Sequence, residues 1–395
     1  MLNASGNIPK GAFLLPLTLL LIVLLLPLLR NFVLPSLNTH AINLQTRETR
    51  KCNVFSGNWV PYFKEPYYNN ETCPFLLEQI NCLKNGRPDR EFLKLRWKPH
   101  DCELPLFDAT EFLELVRGKS MAFVGDSMGR NQLESLLCLI NTVAQPVDIT
   151  AKYTSKDDIF FRWWLVPDYN FTVTTLWSPF LVKYKDSDPS GRAYYSETKL
   201  YLDEADEAWS RKIEKFEYVV ISTGQWFFRP LTFYEKGKVV GCQKCEKEKE
   251  LNYYGYKKAF RTALRRLEGY KGLGILVTQS PEHFEKGAWN EGGTCNRTKP
   301  LEEKGVYENE DIVEALHQIQ VEEFNAARQK GLPLRLALMD VTYAMGMRPD
   351  GHPSKFRPGS AGNNLNDCVH WCLPGAVDTW NQFLLYLIKF HLQTL

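Results

Sequence analysis

Met121-Ala-Phe-Val-Gly-Asp-Ser-Met-Gly-Arg-Asn-Gln132 is the stretch that decides the fold. Met121 to Val124 is a short apolar run that reads as a buried strand. Leu133, Leu136, Leu137 and Ile140 then recur at helical spacing. Gly125 permits a sharp turn between the two, and a helix starting near Met128 aims its free N–H groups and positive dipole end at the Ser127 hydroxyl. Three further apolar runs have the same character: Tyr218 to Ser222, Gly274 to Thr278 and Leu336 to Asp340. Segments of helical period separate them, at Tyr256 to Leu267 and Ile312 to Ala327, and a last helix is expected from Pro374 to about Leu392. Asn170 to Val182 alternates and is expected as a hairpin or edge insertion. The fold class that follows is α/β, a parallel sheet flanked by helices, with ligands bound at the carboxyl ends of the strands.

A serine at that end of a sheet needs a base and an orienting acid to act as a nucleophile. Asp367-Cys-Val-His370 offers both at i, i+3 spacing, so Asp367 can hold one imidazole nitrogen while the other faces Ser127. Either motif alone is weak: Gly-Asp-Ser also suits a plain capped turn, and Asp367 also suits an N-cap. Their pairing points to acyl transfer. Arg130 and Asn131 are candidate oxyanion donors beside the helix start, and Gly224 and Gln225 in Ser222-Thr-Gly-Gln-Trp226 could add others. Trp226, Trp289 and Asn290 are candidates to line a sugar-binding groove. A packing Trp in a glycine-rich loop is the alternative for Trp289. Asp126 is set aside, because adjacent side chains point apart. His352, in Arg348-Pro-Asp-Gly-His-Pro353, is the rival base but lacks an Asp three residues away.

The 395 residues carry a net charge of +2 with no polybasic run, which does not indicate nucleic acid. Gly11 to Leu29 is uncharged and Leu-rich, and as a helix it spans about 28 Å, enough for a bilayer core. It exceeds a signal-peptide core and lacks a small-x-small site after it. The ten cysteines (Cys52, Cys73, Cys82, Cys102, Cys138, Cys242, Cys245, Cys295, Cys368 and Cys372) and the sequons at Asn70, Asn170 and Asn296 suit an oxidising lumen. Cys242 and Cys245 have metal-like spacing without a second pair, so disulfides rather than a metal site are expected. Cys368 and Cys372, if bonded, would hold the His370 loop rigid. The expected organisation is a cytosolic tail (1–10), a transmembrane signal anchor (11–29), a luminal stem (30–51), a cysteine-rich N-terminal cap (52–110) and a catalytic domain (111–395).

These residues resemble the plant trichome-birefringence-like family, a branch of the GDSL/SGNH hydrolase-like enzymes. Gly125-Asp-Ser-Met-Gly-Arg-Asn-Gln132 and Asp367-Cys-Val-His-Trp-Cys-Leu-Pro-Gly375 look like its two signatures. Lys51-Cys-Asn-Val-Phe-Ser-Gly-Asn-Trp59, Arg348 to Pro353 and Asp378-Thr-Trp-Asn381 are similar to further family blocks. Phe227-Phe-Arg-Pro230, Gly241 to Cys245 and Tyr253 to Phe260 look most like the xyloglucan-acetylating branch. Gln225 departs from the pattern, since relatives often carry His before the Trp. The resemblance implies an SGNH-like fold and a single-pass type II Golgi membrane enzyme with a luminal catalytic domain. Its expected activity is O-acetylation of a wall polysaccharide, with Ser127 as nucleophile, His370 as base and Asp367 as acid.

An acetyl donor is then required, acetyl-CoA or an acetylated carrier, together with a polysaccharide acceptor; an acetyl-delivering membrane partner is a candidate that the sequence does not identify. The alternatives are acetylation of xylan or another wall polymer, a polysaccharide acetylesterase using the same triad, and a non-catalytic polysaccharide-binding protein. For the disulfides, a local Cys242–Cys245 bond is expected. Cys295 is expected to reach the Asp367–His370 loop, and two N-terminal cysteines to reach Cys372 and Cys138.

Overall fold

A computed structural model describes residues 52–187, 197–245, 249–302, 310–329, 335–359 and 365–394. The expected tail, anchor and stem lie outside the described residues. Among the described residues no helix is long and apolar enough to cross a membrane. The strands are β1 (Gly57–Pro61), β2 (Leu95–Pro99), β3 (Ser120–Gly125), β4 (Val147–Asp148), β5 (Trp163–Val166), β6 (Phe171–Trp177), β7 (Val182–Asp186), β8 (Thr198–Ala205), β9 (Tyr218–Ser222), β10 (Leu231–Glu235), β11 (Lys238–Gln243), β12 (Leu273–Val277) and β13 (Leu336–Met339). The helices are α1 (Ala109–Leu115), α2 (Ser127–Ile140), α3 (Glu207–Ser210), α4 (Tyr254–Arg266), α5 (Glu310–Gln329), α6 (Thr342–Gly346) and α7 (Asp378–Thr394).

The main sheet runs β13-β12-β9-β3-β6-β5-β4, and a second sheet runs β11-β10-β8-β7. Met121 to Val124 and Tyr218 to Ser222 are buried along their whole length, as strands covered on both faces must be. β3 pairs in parallel with both β9 and β6, so the chain leaves β3 first to one side and then to the other. Ser127, Gly224 and Gln279 therefore follow the carboxyl ends of β3, β9 and β12, where such sheets hold ligands.

The sheet is mixed rather than parallel. β5 is antiparallel to β6, and β4 is antiparallel to β5. The expected hairpin or edge insertion over Asn170 to Val182 is met only in part: Phe171–Trp177 turns back antiparallel on β5, but Val182 starts a strand of the second sheet. Phe171–Trp177 is an internal strand, and its Thr174 and Thr175 are buried rather than solvent-facing. Thr174 Oγ1 donates to the Arg162 carbonyl (2.8 Å) and Thr175 Oγ1 to the Phe160 carbonyl (3.1 Å), which satisfies hydroxyls that a polar-out alternation mimics.

α2 is buried on almost every side, with its leucine face on the sheet and α7 on its flank. Asn381 Nδ2 crosses that contact to the Gln132 carbonyl (3.2 Å) and Ser135 Oγ (2.8 Å). α7 begins at Asp378, four residues beyond the expected Pro374. The Asp378 carboxylate accepts the Gly375 N–H (2.9 Å), Ser135 Oγ (2.5 Å) and Tyr68 OH (2.6 Å), which sets the helix start. The N-terminal segment is sewn to this body: Cys73 bonds Cys138 on α2, and Cys82 bonds Cys372. Cys242 bonds Cys245 and Cys295 bonds Cys368, while Cys52 and Cys102 are disulfide-bonded too. Asn70, Asn170 and Asn296 are all exposed.

Candidate active site

Gly125 ends β3 with φ 146°, and a Cβ there would sit 1.8 Å from the Ser222 carbonyl oxygen. Only glycine allows that approach. The chain then turns into α2, with Asp126 as N-cap and Ser127 as the first helical residue. Asp126 Oδ1 accepts the Met128 N–H (2.9 Å), while Oδ2 accepts the N–H groups of Gly224 (3.0 Å) and Gln225 (3.3 Å). Its carboxylate thus locks the ends of β3 and β9 together and is committed to backbone N–H groups.

On the other side, His370 Nε2 lies 2.7 Å from Ser127 Oγ. Its Nδ1 lies 2.9 and 3.1 Å from the two Asp367 oxygens. Asp367 Oδ1 also accepts the backbone N–H groups of Val369 (3.2 Å) and His370 (3.0 Å), so the acid and base are fixed within one turn. Burial alone would push the Asp367 carboxyl up, but the facing imidazole outweighs it and holds the group well below the usual carboxylate range. For His370, burial works to lower the pKa, and the Asp367 carboxylate raises it on balance above the ordinary histidine value. This arrangement can take the Ser127 proton and stabilise the imidazolium that results.

Long-range links hold the His370 loop. His352 Nδ1 donates to the His370 carbonyl (2.7 Å), its Nε2 faces His283 Nδ1 (2.7 Å), and its ring stacks on Trp371. Both nitrogens are engaged and burial lowers its pKa to about 4, so the rival base is instead a support for the loop. Asp367 forms a β-bridge with Ser354, and Cys368 is tied to Cys295. Cys368 and Cys372 are bonded not to each other but to Cys295 and Cys82.

Ser127 and His370 open onto a cavity of about 650 Å³. Its walls include Trp226, Trp289, Asn290, Gln279 and Glu282.

The stretches matched in the sequence comparisons include the residues of this geometry. A family model described as PC-Esterase, the GDSL/SGNH-like acyl-esterase family found in Pmr5 and Cas1p, matches residues 104–387. A second, the PMR5 N-terminal domain, matches residues 50–103. The chain belongs to the PC-Esterase family. It is 44% identical to protein trichome birefringence-like 19 of Arabidopsis thaliana, over 94% of this chain and 90% of the relative. It is 43% identical to xyloglucan O-acetyltransferase 1 of Arabidopsis thaliana, covering 86% of this chain and 80% of that one. With xyloglucan O-acetyltransferase 4 of Populus trichocarpa it shares 42% identity over 87% and 82%. The family resemblance drawn from the motifs therefore holds across most of the chain.

In this PC-Esterase chain the expected oxyanion donors are mostly committed elsewhere. The Gly224 and Gln225 N–H groups bond Asp126, and Gln225 Nε2 donates to the Ser280 carbonyl (2.8 Å). Asn131 is buried and brackets Trp371: its Oδ1 accepts the Trp371 N–H (2.8 Å) and its Nδ2 donates to the Trp371 carbonyl (3.3 Å). Arg130 turns to Glu134 (3.8 Å) and lines a separate small recess. Each of these polar groups sits beside a nearer acceptor or donor of the scaffold, which sequence spacing does not reveal. The first-turn N–H of Ser127 remains as the donor a helix start supplies. Trp226, Trp289 and Asn290 do reach the cavity wall. Gln279 and Glu282, three residues apart after β12, are cavity residues that sequence reasoning missed, because no motif marks them. Among the described residues no group of three or more His, Cys, Asp or Glu is placed to hold a metal ion.

Proposed function

We propose that the protein transfers acetyl groups to hydroxyls of a wall polysaccharide, xyloglucan side chains first, through an acetyl-Ser127 intermediate. The observation that carries this reading is the 2.7 Å contact between His370 Nε2 and Ser127 Oγ at the mouth of an aromatic-walled cavity. His370 takes the Ser127 proton as Oγ bonds the acetyl carbonyl carbon, and returns it to the donor's leaving group. A sugar hydroxyl then gives its proton to His370, bonds the same carbon, and releases Ser127, which is reprotonated. The donor is acetyl-CoA or an acetylated carrier. Relatives named xyloglucan O-acetyltransferase support the choice of acceptor.

The cross-linked cysteines and exposed sequons support a luminal body behind a type II Golgi anchor, with the divisions given by the sequence. The family description names acyl-esterases, so a polysaccharide acetylesterase with the same triad is the second reading. The two differ in whether water or sugar reaches the acyl-serine. Full-length protein supplied with acetyl donor and xyloglucan oligosaccharide separates them: acetylated sugar supports transfer, and acetate release alone sinks it.

A further inference from the structure

Glu282 follows β12 and lines the cavity onto which Ser127 opens. Among the described residues its carboxyl group has neither a hydrogen bond nor an ion-pair partner, and Lys244 is the one charge acting on it. The cations of the same cavity are occupied elsewhere. Lys244 Nζ donates to the Phe228 carbonyl (2.6 Å), Arg229 pairs with Asp186 (3.2 Å), and Arg357 lies 3.9 Å from Asp367. Withdrawal from water pushes the Glu282 carboxyl up to about 7. A partly desolvated carboxyl without a partner is a cost that the fold itself does not offset.

We propose that Glu282 binds the acceptor, its two carboxyl oxygens hydrogen-bonding adjacent hydroxyls of the sugar unit that receives the acetyl group. Carboxylate oxygens suit a vicinal diol, and the indoles of Trp226 and Trp289 suit the apolar face of the same ring. The carboxyl set among indoles on the Ser127 cavity wall is complementary to a sugar hydroxyl pair, which assigns Glu282 to the acceptor. The inference rests on the acyl-transfer reading of Ser127.

The test uses full-length Glu282→Gln and Glu282→Ala with two readouts. Cleavage of para-nitrophenyl acetate reports acylation of Ser127 and needs no sugar, while transfer to xyloglucan oligosaccharide needs both half-reactions. We expect ester cleavage within about two-fold of wild type, with KM for the oligosaccharide raised about 10- to 100-fold, the range for losing hydrogen bonds to a charged group. Tm should hold or rise in Glu282→Gln, since an unpartnered carboxyl is removed. Unchanged KM for the sugar overturns the proposal, and so does an equal fall in both reactions with a lowered Tm. If Ser127→Ala cleaves the ester normally, the acyl-serine reading fails instead, and a raised sugar KM in Glu282→Gln still upholds acceptor binding.

Discussion

The two halves of the site are built by different means. Ser127 is placed by regular structure: a central strand, a glycine that lets two strand ends meet, and a helix capped by Asp126. His370 stands on an irregular loop held by the Cys295–Cys368 and Cys82–Cys372 bonds, the Asn131 amide and His352. Ser127 thus inherits the rigidity of the sheet, whereas His370 depends on links of high sequence separation. The two aspartates divide in the same way. Asp126 binds N–H groups that follow two different strands, while Asp367 binds the His370 imidazole and the N–H groups of its own turn.

The largest effect expected from this contrast is on Asp367. Asp367→Asn should lower kcat by about 10⁴-fold, as loss of the orienting acid does in other triads, and steady-state kinetics on a soluble ester checks it. A fall of ten-fold or less would mean that the loop links alone orient His370. Next come the cross-links. Removing Cys295–Cys368 or Cys73–Cys138 should each cost about 2–5 kcal/mol of stability, as they close loops of similar length, 73 and 65 residues. Denaturant melts measure this. Only Cys295→Ala with Cys368→Ala should also lower kcat, by roughly 10- to 100-fold, because it frees the loop that carries the base. Equal kcat in the two double variants would erase the distinction between the halves.

The smallest effect is a shift in the pH profile. The base acts with neutral imidazole, so activity is lost as pH falls through the His370 pKa. That acid limb should lie above the ordinary histidine value of 6.5. Asp367→Asn removes the raising influence, so its residual activity should show the limb at lower pH. A limb that does not move would place the controlling group elsewhere.

Which parts were legible in the sequence follows the same division. The core strands and the helix after Ser127 announced themselves, because apolar runs and 3.6-residue spacing are local signals. β6 did not, as its buried threonines bond backbone carbonyls across the strand and so imitate a solvent-facing alternation. The Ser127–His370 contact, 243 residues apart, could be inferred only because acyl transfer requires those three side chains in concert. The state of the oxyanion candidates was hidden for the opposite reason. A free donor and a committed one share the same letter, and only the fold reveals that Asp126 takes the Gly224 and Gln225 N–H groups. Glu282 gave no signal at all, since no motif marks it and only the fold brings it to the cavity wall.

The central claim is an acetyl group carried on Ser127. Full-length protein should be mixed with acetyl donor without acceptor, quenched, digested and analysed by peptide mass spectrometry. The account predicts one acetyl on the peptide containing Ser127, absent in Ser127→Ala and discharged when xyloglucan oligosaccharide is added before the quench. Transfer that proceeds in Ser127→Ala, or an acetyl group carried on another residue and passed to the sugar from there, would contradict it.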